Sequence, residues 1–168
     1  LFSANIIMGG MGLEIREELA YIAWSKMGLM VFDISDPENS HRIAQFAKRE
    51  WISDYWNDDL GAYDIEIEGD IAYMQTIDQG LRIVSINDIE GMFEISKVDG
   101  TEFVNDVVFS NRRIYIASGS YKNMNWISGN GQLSVLQTDN PSNPTLGTIR
   151  YMSKPYNRLS LSEDRLFI

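Results

Sequence analysis

Cysteine is absent from the 168 residues. That excludes a disulfide scaffold, thiolate zinc sites and c-type haem attachment, although it says nothing of the compartment. Histidine occurs once, as His41 in DPENSHR, where an exposed turn residue is expected. One histidine without cysteine supplies no ligand set for zinc or copper. Positive charge is scarce: 14 Lys and Arg stand against 24 Asp and Glu, a net charge of -10. A surface this acidic repels phosphate backbones, so nucleic acid is excluded as a partner. No apolar run approaches the ~20 residues of a membrane-spanning helix, so no membrane insertion by this segment is expected. Glycine-rich phosphate loops, the nucleophile elbow and the dinucleotide fingerprint are all missing. Helix-period patterning is nearly absent as well.

What is present is repetition. The stretch GLMVFDISDPEN at 28–39 returns as GLRIVSINDIEG at 80–91 and, more loosely, as QLSVLQTDNPSN at 132–143. Upstream of each lies an apolar-aromatic pair: Ala20-Tyr21, Ala72-Tyr73, Ile114-Tyr115 and finally Leu166-Phe167. The aromatic members fall 52, 42 and 52 residues apart. That is a base period of about 42 with an insertion of about ten in two units, within the ~40–50 residues of propeller blades. Before each pair runs an alternating strand, carrying Leu13 and Ile15, Ile65 and Ile67, Val107 and Phe109, or Leu159 and Leu161. Apolar residues at i and i+2 mark a half-buried strand. A third strand, a turn rich in Asp, Pro, Asn and Gly, and a fourth strand complete each unit.

Four short strands per period predict an all-β fold, a β-propeller with four-stranded blades and a period of about 42 residues. A two-layer sandwich has no need of the same turn chemistry at the same offset each time. A β-helix has a shorter period. The expected organisation is 1–12 as the end of an upstream blade or a lead-in, 13–47 as a blade, and 48–61 as an aromatic and acidic insertion. Blades follow at 62–99 and at 103–150, the latter with an insertion at 119–131, and a further blade starts at 156–168. About three full blades are short of the roughly 4–8 that close a ring. The chain opens on Leu1 and stops on a strand-like Leu166-Phe167-Ile168. The expectation is an incomplete ring, a fragment of a longer chain that supplies the remaining blades.

The strands LMVFDISDP and LRIVSIND, preceded by Ala-Tyr and by Tyr-Asp-Ile-Glu-Ile, resemble the LVIVD repeat family. The resemblance covers most of 13–168 and is weaker in the third unit, where Leu136-Gln137-Thr138 departs from the motif. It implies a β-propeller, often extracellular or at the cell surface in bacteria and archaea, with no activity common to the family.

In a propeller blade the connection between strands two and three and the connection to the next blade emerge on one face. The insertions KREWISDYWNDDLG and GSYKNMNWISGNG would share that face. They carry Trp51, Tyr55 and Trp56, and Tyr121 and Trp126, three of the chain's four tryptophans. Large aromatics with a polar edge anchor interfaces, and flanked by carboxylates and amides they also suit sugar rings. The same aromatics could instead fold back to cap the disc. Nearer the axis Tyr63-Asp64, Asn105-Asp106 and Asn157-Arg158 recur at one position. They would form a polar funnel or, more in keeping with their recurrence, bond neighbouring blades.

These readings converge on a non-enzymatic module that binds protein, with glycan as second candidate, at the cell surface or outside the cell. The candidate binding residues are Trp51, Tyr55, Trp56, Tyr121, Trp126, Tyr63, Asp64, Asn105 and Asp106. No catalytic residue, metal ligand or cofactor is expected. The turns holding Asp33 and Asp36, and Asp54, Asp58 and Asp59, carry oxygen ligands of the kind calcium takes, without EF-hand spacing. The rival readings are a propeller hydrolase or lyase with an axial polar site, and a purely structural module of a larger assembly.

Overall fold

The computed structural model describes residues 12–24, 27–47, 62–76, 80–98, 104–110, 112–119, 131–152, 159–162 and 165–167. Every element among them is a strand. The first sheet is β1 (Gly12–Arg16), β2 (Leu19–Trp24), β3 (Gly28–Asp33) and β4 (His41–Phe46). The second is β5 (Ala62–Glu68), β6 (Ile71–Thr76), β7 (Gly80–Ser85) and β8 (Phe93–Val98). The third is β9 (Val104–Ser110), β10 (Arg113–Gly119), β11 (Gly131–Gln137) and β12 (Thr145–Met152). β13 (Ser160–Ser162) and β14 (Arg165–Phe167) form a two-stranded fourth sheet. In each sheet the strands lie in chain order and pair antiparallel, so each is a simple meander.

The repeat read from the sequence is a repeat of register. Tyr21 lies between Glu14 and Val31, Tyr73 between Glu66 and Ile83, and Tyr115 between Val108 and Val135. The β3–β4 and β7–β8 pairings shift register at matching places, Val31/Phe32 and Ile83/Val84. Gly28 and Gly80 open the third strands with φ of 72° and 74°. A Cβ on Gly28 would also stand 2.2 Å from the Phe46 carbonyl oxygen, so glycine is required there both by torsion and by space.

Alternation sends each strand's apolar residues to both faces, and the sheets use both. Tyr21, Leu29 and Val31 of the first sheet pack against Ile65, Ile67 and Met74 of the second. From its other face the second sheet packs Tyr73, Leu81 and Ile83 against Val107, Ile114 and Leu136 of the third. The third then sets Ala117 and Leu133 against Leu159 of the fourth. Burial of each such side chain stabilises by about 1.5–3 kcal/mol. A two-layer sandwich leaves every sheet one outer face, so serial packing on both faces rules it out. The three equivalent tyrosines all face the sheet that follows.

The first strands lie innermost. β1 contacts β5, β5 contacts β9, and β9 contacts β13 across the seams. This all-β arrangement is consistent with propeller-like blades; no closed ring is formed among the described residues. One expectation is modified. Leu13 and Ile15 are each 58% exposed rather than half-buried. Their face of the first sheet, with the cluster of Ala20, Met30 and Phe32, meets no other sheet among the described residues.

Candidate functional site

Because the first strands converge, the polar residues alternating with their apolar ones collect along the inner side. Glu14 and Glu66 occupy equivalent register positions on β1 and β5, each opposite a tyrosine of the next strand. Val108 and Ser160 hold the same position on β9 and β13. Asp64 and Asp106 form a second equivalent set, two residues earlier than Glu66 and Val108. Among the described residues Arg16 is the cation in this region. It lies 3.6 Å from the Glu14 carboxylate, and its guanidinium donates to the Ile67 carbonyl of the neighbouring sheet.

Glu66 is half-buried and its carboxyl is pushed up to about 7, by burial first and then by Glu14, Asp64 and Asp106, with Arg16 opposing. Asp64 accepts from the Ile65 N–H at 2.9 Å and sits against Gly12, where a Cβ would fall 2.2 Å from its carboxylate oxygen. Asp106 accepts from the Leu159 N–H at 2.5 Å, which ties the third sheet to the fourth. Tyr63 is partly buried on β5, and Asn105 lies on β9, in the strand just before Asp106. The structure thus brings Tyr63, Asp64, Asn105 and Asp106 onto adjacent inner strands. Trp51, Tyr55, Trp56, Tyr121 and Trp126 lie outside the described residues, as do Asn157 and Arg158.

Two polar features were not singled out in the sequence. Gln75 is fully buried, directly opposite Asp64 in the β5–β6 pairing, and neither amide atom has a hydrogen-bond partner. Arg82 is buried and pairs with Glu94 at 2.9 Å. The available signal was departure from the repeat. Gln75 stands where the other units place Ala23 and Ala117, and Arg82 where they place Met30 and Ser134. A polar residue at an apolar position, as Gln75, or a charge at an uncharged one, as Arg82, is legible once units are aligned.

The Asp turn has a structural role. Asp33 accepts from both the backbone N–H and the hydroxyl of Ser35, at 2.9 and 2.6 Å. Asp36 accepts from the Glu38 N–H and the Asn39 amide, at 3.0 and 2.6 Å. The Ser35 hydroxyl and the Asn39 amide hold the two carboxyls below the usual range. Among the described residues no group of three or more His, Cys, Asp or Glu side chains is placed to hold a metal ion. Also among the described residues, no helix is long and apolar enough to cross a membrane.

Residues 10–41 match the LVIVD repeat, so the chain carries that repeat and the resemblance read from its strands holds there. Nothing matches among curated proteins. Among solved structures the chain is similar to the computationally designed Ika4 protein, with a TM-score of 0.67 and 8% identity over 95% of this chain and 84% of that one. It is also similar to the computationally designed Ika8 protein, with a TM-score of 0.65 and 9% identity over 94% of this chain and 41% of that one. At such identities the likeness shows the fold alone.

Proposed function

We propose that the chain is a non-enzymatic repeat module of β-propeller type, a binding scaffold in a surface or secreted protein. The observation that carries the propeller reading is the use of both faces by the second and third sheets, together with the serial contact of β1, β5, β9 and β13. A fan of blades around an axis needs both. On this reading Trp51, Tyr55, Trp56, Tyr121 and Trp126, carried by the two insertions, anchor a protein partner, with glycan the second candidate. Further blades come from the same longer chain.

The assignment to binding rests on residue type: aromatics concentrated between strands anchor interfaces. The cell-surface setting rests on the family resemblance. Trp51→Ala with Trp56→Ala tests the reading. Capture of surface proteins and retention on an oligosaccharide array are measured beside the far-ultraviolet spectrum. Loss of binding with the β spectrum intact supports the module. Unchanged binding moves the chain to a purely structural role.

A second reading has one observation in its favour. A carboxyl held at about 7 among other carboxylates is suited to proton transfer, as in an axial hydrolase or lyase. Turnover of glycoside or ester substrates that survives Asp64→Asn with Asp106→Asn removes those two residues from any mechanism.

A further inference from the structure

The reverse face of the first sheet carries the register set that the later sheets bury. Leu13 pairs with Ile22 and Ile15 with Ala20, as Ile65 pairs with Met74 and Ile67 with Ala72 in the second sheet. In the third sheet Val107 pairs with Ile116 in the same way. Ile65, Ile67 and Met74 are sealed by Tyr21, Leu29 and Val31 of the sheet before them. Val107 and Ile116 are sealed likewise by Tyr73, Leu81 and Ile83. Leu13 and Ile15 are as apolar as their equivalents and stand exposed, so the difference lies in the neighbour and not in the residue type.

The other end of the stack presents what that face lacks. Ser160 pairs with Phe167 as Glu14 pairs with Tyr21 and Glu66 with Tyr73. Phe167 therefore holds the tyrosine register, on the face turned away from the third sheet. Its neighbour Leu166 takes the opposite face and packs with Leu133 and Leu159. Tyr21 and Tyr73 are buried by the sheet that follows theirs; among the described residues no sheet follows the fourth, and Phe167 is 53% exposed.

We propose that these two ends meet between molecules: the first sheet of one copy receives the Phe167 face of the fourth sheet of a second copy, head to tail. The contact continues the seam already formed three times within the chain, with Phe167 in the place of Tyr21 and Leu13 in that of Ile65. It joins unlike surfaces, so a closed pair makes it twice. Three four-stranded sheets and one of two strands fall short of the roughly 4–8 blades that close a ring; two copies double the number and come within it. The proposal concerns these 168 residues as a unit and goes beyond the binding reading, since the aromatic insertions take no part. Blades supplied by a longer chain would compete for the same face, and the second copy takes it in their absence. The fourth sheet has two strands, so the area is small and the association weak. At the dilution of an unfolding measurement the copies are apart. Leu13→Ser and Ile15→Ser then leave the stability of the monomer in place and act on the mass instead.

Sedimentation equilibrium tests the pairing. The mass should be that of one chain at about 1 µM and rise toward that of two at about 200 µM, as mass action requires. The mass of one chain at every concentration overturns the proposal. Leu13→Ser with Ile15→Ser should hold the mass at one chain, and so should Phe167→Ser, each with the far-ultraviolet spectrum of wild type. A variant that keeps this spectrum and pairs as wild type does overturns the proposal. Mixing then separates head-to-tail from face-to-face contact. The doubly substituted protein keeps its Phe167 face and the Phe167→Ser protein keeps its first-sheet face, so an equimolar mixture should recover pairs that neither forms alone; no recovery overturns the head-to-tail contact. Each copy carries a net charge of -10, so pairing should strengthen as salt screens the repulsion, and weakening by salt contradicts an apolar contact.

Discussion

The two faces of the first sheet have similar composition and different fates. Toward the second sheet, Tyr21, Leu29 and Val31 are sealed at 5%, 0% and 0% exposure. On the reverse face Met30 and Phe32 are also buried, at 4% and 9% exposure, though among the described residues they pack within their own sheet, while Leu13 and Ile15 stand 58% exposed. Strand periodicity makes both faces apolar, but on the reverse face burial is confined to β2 and β3, and the apolar residues of β1 are left exposed. In the second sheet, where a neighbour lies on each side, both faces are sealed: Met74 and Val84 on one, Leu81 and Ile83 on the other, all at 0%. A serial stack of this kind draws its stability from its seams rather than from any sheet alone.

A graded series of truncations sharpens the contrast. Leu29→Ala, in the covered seam, should lower stability by about 2–5 kcal/mol in urea unfolding. Phe32→Ala, in the buried cluster of the reverse face, should cost a comparable amount, about 3–5 kcal/mol. Leu13→Ser and Ile15→Ser should stay within about 0.5 kcal/mol of wild type. Similar losses for Leu29→Ala and Leu13→Ser would break the comparison and show that the reverse face is covered in solution.

Seam chemistry offers a second contrast. Between the first and second sheets the buried Arg82 pairs with Glu94, whereas the matching position of the third sheet is Ser134. Truncating Arg82 to Ala breaks this buried ion pair and should cost about 3–5 kcal/mol. Ser134→Ala should cost about 1 kcal/mol, the usual worth of one hydrogen bond. Parity between the two would mean that Glu94 reaches water when its partner is removed.

Much of the fold was legible because repetition averages out local ambiguity. A single strand such as LRIVSI reads equally as strand or buried helix segment; three copies at matching offsets, each followed by a turn, do not. The tyrosine positions held, since Tyr21, Tyr73 and Tyr115 share one register. The exposure of Leu13 and Ile15 was not legible, because burial depends on what stands opposite and not on alternation. The inner carboxylates were legible only in part. Asp64 and Asp106 stood out by recurrence, whereas Glu14 and Glu66 looked like the polar half of an alternating strand. Their significance arises from the convergence of β1, β5 and β9, which is a property of the assembled stack. The bond from Asp106 to the Leu159 N–H joins residues 53 apart and depends on the same convergence.

The central claim is radial: the sheets fan out from their first strands. The absence of cysteine allows clean spin labelling at two pairs of exposed, repeat-equivalent positions. Glu18→Cys with Asp70→Cys reports the inner hairpins of the first two sheets, and Gln45→Cys with Lys97→Cys reports their outer strands. Pulsed electron–electron spectroscopy should give a clearly longer distance for the outer pair than for the inner pair. Equal distances would mean that the sheets lie parallel, and the fan would be wrong.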